Sequence, residues 1–112
     1  MPDDAECFPA DALRIEASYT GSEVTLVVEG EFDLSGTELF WAYSSEAIGS
    51  HPQSIVVDAR GLTFVDSAGL MAMWRARDAA DAAGVAFRVC NATRPVRRVV
   101  ALLGLEDLLS DE

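Results

Sequence analysis

Short β-branched runs alternate along this chain with segments of helical periodicity, and no other feature restricts its fold so strongly. Val24–Val28 and Ile55–Val57 read as strands, the second ending at Asp58, and Val85–Cys90 reads as a further one. Between Ile55–Val57 and Val85–Cys90, Leu70, Met73, Arg77 and Ala80 fall on one face of a helix, the arginine through its aliphatic stem, and Gly84 closes it. Strand, helix, strand is a βαβ unit with parallel strands. Upstream, Leu13–Ala17 alternates apolar and polar, and Thr20-Gly21-Ser22 turns the chain back, so the first two strands pair antiparallel. The expected architecture is therefore α/β, one domain with a small mixed β-sheet and helices packed on it.

The connections carry local signals. Gly30–Leu34 leaves the second strand, and Ser35-Gly36-Thr37-Glu38 reads as a capping box for a helix with Phe40, Tyr43 and Ala47 at core spacing, ending near Gly49. Arg60–Val65 reads as a connector, and Asp66-Ser67-Ala68-Gly69 opens the next helix. Pro95 sits in the first turn of a third helix, where its missing N–H costs nothing. Val96, Val99, Val100 and Leu103 repeat along that helix until Gly104, and Leu105–Leu109 adds a last turn. Residues 1–11 hold two prolines and four acids and read as a disordered acidic leader, with the folded domain over 12–112.

Charge narrows the function. The chain has 19 acidic residues against 8 basic ones, and a net charge of −11 repels phosphate backbones and anionic lipid headgroups. Nucleic acid and membrane are accordingly not expected partners. The N-terminus is acidic where a secretory signal would be basic, and Val99–Leu103, as long as any apolar run in the chain, is too short to span a bilayer. Both point to the cytoplasm. Cys7 and Cys90 form no CxxC and read as free thiols.

Catalytic chemistry finds little support. His51, the single histidine, precedes Pro52 in a loop with no Cys or Asp arranged around it. Ser67 lacks a GxSxG elbow and an evident base, the carboxylates are scattered, and no phosphate-cradling glycine motif occurs. No catalytic residue, metal or cofactor is expected. One segment stands out: Phe64-Val65-Asp66-Ser67-Ala68-Gly69-Leu70 sets a small hydroxyl at the start of a helix. Asp66 or Ser67 there is an ordinary N-cap. A phosphate on the same serine would meet unpaired N–H groups and the positive end of the helix dipole. The residues alone fit both readings.

Asp66-Ser67-Ala68-Gly69-Leu70 resembles the D-S-[S/A]-G-L motif of anti-sigma factor antagonists, the stand-alone STAS domains. Val27-Val28-Glu29-Gly30-Glu31-Phe32-Asp33 is similar to that family's "v-x-G-E-L-D", and Val56-Val57-Asp58-Ala59-Arg60-Gly61-Leu62 to its "v-v-D-L-S-G-L". The stretch from Pro95 to Leu105 is similar to its C-terminal helix. The resemblance runs from about Leu13 to Leu109.

It implies a partner switch in bacterial transcription regulation. Unphosphorylated members bind an anti-sigma factor, often a serine kinase with an ATP-binding domain, and so release a sigma factor. The kinase phosphorylates the serine at the Ser67 position, and a serine phosphatase resets it. Asp33 carries over as part of the loop beside the phosphosite, and Asp66 as the acid before the serine, with Ala68 and Gly69 completing the motif. Met71 stands where the family commonly has glycine, and Trp41 where it commonly has a charge; both join the expected contact surface, and these departures read either as ordinary surface scatter or as a different or narrower partner. A second reading keeps the fold without the switch, as a constitutive STAS assembly subunit of a transporter, for example a lipid-transport ATPase, or of another complex.

Overall fold

The computed structural model describes residues 12–109, so the leader and Cys7 lie outside the described residues. Four strands form one mixed sheet in sequence order: β1 (Arg14–Thr20), β2 (Glu23–Phe32), β3 (Ser54–Val65) and β4 (Ala86–Cys90). A tight turn joins β1 to β2, which pair antiparallel from Arg14↔Glu29 to Thr20↔Glu23. β2–β3 and β3–β4 are parallel, each joined by a crossover helix: α1 (Thr37–Gly49) and α2 (Ser67–Ala82). α3 (Arg94–Leu102) and a 3-10 turn (Glu106–Leu108) follow, and Leu109 bridges to Val89.

Alternate strand residues make the core. Val24, Leu26 and Val28 of β2 and Ile55, Val57 and Ala59 of β3 are buried with Phe40, Leu70, Met73, Val96 and Val100 of the helices. The intervening Thr25, Val27 and Val56 are half-buried, so the helices cover one face of the sheet and leave the other open.

Several boundaries differ from the sequence reading. β2 does not end at Val28. It continues through Gly30 to Phe32, with register shifts at Val27/Glu29 and Gly30/Glu31. Gly30 has φ +94°, a conformation that a Cβ would strain. β3 likewise runs on from Asp58 through the expected connector Arg60–Val65, which pairs with the end of β2. No capping box forms: α1 has Gly36 as its N-cap with no side-chain bond, while Ser35 lies inside a short 3-10 turn (Leu34–Gly36) capped by Asp33. Ser44 is fully buried in α1 while Tyr43 is half-buried. In α2 it is Ala76 that joins Leu70, Met73 and Ala80 in the core, and Arg77 lies over the Trp74 ring at 5.0 Å. Val85, expected to start β4, is buried just ahead of it.

Candidate protein-binding site at the start of α2

The site is built around the end of β2. Phe32 is fully buried, its ring 5.1 Å from that of Phe40. Its carbonyl accepts the Asp66 N–H at 3.2 Å and so ties the end of β3 to the end of β2. The Asp66 carboxylate then caps α2, accepting the Gly69 N–H at 2.9 Å. That settles which residue caps: Asp66 does, and the exposed Ser67 hydroxyl makes no hydrogen bond among the described residues. Ser67 is the first residue of α2, beside the unpaired N–H groups of its first turn.

Gly69 has a steric reason. A Cβ there would stand 2.4 Å from the Phe32 carbonyl oxygen and 2.9 Å from Val65 Cγ2. Only glycine lets the first turn of α2 sit against the end of β2. Ala68 is half-buried next to it and presents less surface than Ser67.

Asp33 follows Phe32 directly. Its carboxylate accepts from the Ser35 hydroxyl at 2.6 Å and the Ser35 N–H at 3.0 Å. These bonds, the hydroxyl first, hold its pKa below the usual carboxylate value. The Asp33 turn and the Ser67 turn thus share one anchor, and their 3-10 and α2 backbones pack together.

Met71 lies one helical turn beyond Ser67 on the same face and is 52% exposed. Trp41 is half-buried on α1, with the Arg75 guanidinium 4.6 Å above its ring. Thr37, Glu38, Trp41, Ala72 and Arg75 line a shallow groove between the two helices, which places Trp41 there and leaves Met71 outside its lining. Sequence reasoning missed two apolar side chains at this end of the sheet: Leu34, 72% exposed beside Asp33, and Phe64, 45% exposed at the end of β3. Phe64 had a signal, since it follows buried Leu62 by two residues and precedes buried Val65, where a bulged strand breaks simple alternation.

The fold sets the single histidine far from Ser67. His51 precedes β3 and Ser67 follows it, so the 12-residue strand separates them; at about 3.3 Å per residue that is on the order of 35 Å. Among the described residues no group of three His, Cys, Asp or Glu side chains could hold a metal. No helix among them is long and apolar enough to cross a membrane.

Comparison with known proteins agrees with this geometry. The family profile described as "Mlab, STAS domain" matches residues 15–110. A STAS-domain containing protein of Pseudomonas aeruginosa is 33% identical over 98 residues, covering 87% of this chain and 95% of its own. The unphosphorylated form of the anti-sigma factor antagonist SpoIIAA superposes with a TM-score of 0.74 at 25% identity, covering 90% of this chain and 88% of that one. The phosphorylated form of that Bacillus cell fate determinant superposes with a TM-score of 0.68 at 24% identity, over 90% of this chain and 91% of that one. A sulfate transporter family protein of Wolinella succinogenes shares the fold, with a TM-score of 0.70 at 14% identity over 81% and 74% of the two chains.

Proposed function

This chain belongs to the STAS domain family, and from that premise we propose that it is an anti-sigma factor antagonist switched by phosphorylation of Ser67. The unphosphorylated form binds an anti-sigma factor that is itself a serine kinase, and the bound sigma factor is released. Phosphorylation ends the interaction and a serine phosphatase restores it, all in the cytoplasm. The chain itself contributes no catalytic group.

One observation carries the reading: the Ser67 hydroxyl is exposed and unbonded at a helix start already capped by Asp66. A phosphate there meets N–H groups and water, so the free protein accommodates it. The surface gains roughly −1.5 to −2 charges. Burying that charge against a surface fitted to a bare hydroxyl costs several kcal/mol, and each ~1.4 kcal/mol is tenfold in affinity. Around Ser67, exposed Leu34, Phe64 and Met71 supply apolar contact area, with Asp33, Asp66, Ala68, Gly69 and Trp41 shaping the surface.

The test uses the anti-sigma factor kinases encoded in the same genome, each purified and incubated with this protein and ATP. Mass spectrometry locates the phosphate, and both forms are titrated against the kinase. Phosphate on Ser67 with affinity reduced at least a hundredfold supports the switch. Phosphate elsewhere, or equal affinity of the two forms, removes it.

A second reading is favoured by the family profile, whose description names Mlab and not an anti-sigma factor antagonist. There the same surface joins the chain permanently to a transporter or other complex. Ser67→Asp separates the two: it impairs a switch and leaves a constitutive assembly largely intact.

A further inference from the structure

Arg94, Arg98 and Leu102 lie four residues apart along the outer line of α3, opposite buried Val96 and Val100. All three are exposed, Leu102 by 78%, and neither arginine makes an ion pair among the described residues. In a chain of net charge −11 this basic stripe ending in leucine is an unusual surface. Arg14 and Arg88, by contrast, pair with Glu29 and Glu23 on the open face of the sheet.

We infer that the stripe is the docking surface for the acidic leader of the same chain, residues 1–11. The leader carries Asp3, Asp4, Glu6 and Asp11 and no basic side chain. Its charge complements the arginines of the stripe. Its attachment point also suits. Ala12 bridges to Glu31, Glu31 pairs with Phe64, and the Thr93 hydroxyl donates to the Leu62 carbonyl at 3.0 Å just before α3 begins. With neighbouring strands about 4.8 Å apart, Ala12 and the start of α3 are separated by roughly 20 Å. Eleven residues reach about 35 Å when extended. The path runs past the end of the sheet where α2 begins.

The contact is electrostatic and exposed, so it is weak and salt-sensitive. A nitroxide attached to Cys7 in the full chain, with Cys90→Ser as background, reads it directly. At low salt the amides of Arg94 and Arg98 broaden more than those of β4. Charge reversal at Arg94→Glu and Arg98→Glu, or the milder Arg98→Gln, lowers that broadening, by about fivefold for the double variant. Raised salt does the same without any mutation. Broadening confined to β1 and its neighbour Glu31, or unchanged by the charge reversals, overturns the inference. So does an α3 shift that follows deletion of residues 110–112 and not neutralisation of Asp3, Asp4 and Glu6, which would assign the stripe to the C-terminal acids.

Discussion

Replacing Gly69 by alanine tests the central geometry of the site. A helix-interior glycine normally gains about 1 kcal/mol on becoming alanine. Here the new methyl would stand 2.4 Å from the Phe32 carbonyl oxygen, 2.9 Å from Val65 Cγ2 and 3.0 Å from Phe32 Cγ. The nearest atom is backbone and cannot rotate aside, and Phe32 is fully buried. Retreat of that carbonyl would also stretch its 3.2 Å bond from the Asp66 N–H. Overpacking costs about 3 kcal/mol at the upper end of its usual range, and the weakened hydrogen bond about 1 kcal/mol. Subtracting the helix gain leaves a loss of roughly 2–3 kcal/mol, or about 10–15 °C in Tm for a domain of this size. Urea unfolding followed by circular dichroism measures it, with Gly49→Ala as the control. Gly49 lies at the end of α1, and a methyl group added there would meet nothing within 4 Å, so that variant should be neutral or slightly stabilised. A Gly69→Ala protein as stable as the parent, or an equal loss in Gly49→Ala, would refute the packing argument.

Further outcomes follow from the same geometry. Ser67→Ala should change stability by less than about 0.5 kcal/mol, whereas Asp66→Ala should lose about 1 kcal/mol, because the cap bond belongs to Asp66; equal losses in parallel melts would contradict the assignment. Ser44, fully buried with an unpartnered hydroxyl, should tolerate alanine with a gain of about 1 kcal/mol, and a clear loss would mean the hydroxyl has a bond. The Asp33 carboxyl should titrate by NMR below 3.8, and Ser35→Ala should move it upward. A depressed folded pKa means that its stabilising contribution is complete above the unfolded value and fades as pH falls through the folded one; a midpoint at or above 3.8 in the parent would break the argument. Met71→Glu should weaken partner binding while keeping the helix, since glutamate is a good helix former; unchanged affinity would place the contact elsewhere.

The order and type of the elements were legible because most strands and helices carry their own periodicity. The long strands were not. The far halves of β2 and β3 contain Gly30, Arg60, Gly61 and Thr63, and their register shifts break the two-residue period on which a strand reading depends. The helix start at Ser67 was legible from the Asp-Ser-Ala-Gly run, but the choice of cap was not, because two adjacent residues had suitable oxygens and only the backbone angle at Asp66 decides. Ser35 misled for a related reason: its hydroxyl is taken by Asp33, a bond between side chains two residues apart that competes with capping. Leu34 gave no sign of being surface, and the signal at Phe64 depended on a bulge visible only in the fold. An apolar residue next to a turn looks like core until neighbouring elements are placed, and both side chains stay exposed in the fold.

Phe32 has a consequence for timing. Its carbonyl holds Asp66, its ring lies against the position of Gly69, and its chain successor is Asp33. The two turns bordering Ser67 therefore share a fixed post set in the core, and neither can shift without disturbing the other. Such a mounting leaves little room for a message sent by movement. Under the switch proposed above, a charge added at Ser67 would take effect as soon as the covalent bond is made, with no slow rearrangement to await, and would persist until the bond is cut. The memory of such a device would lie in chemistry, and its duration would be set by the enzymes that write and erase the modification.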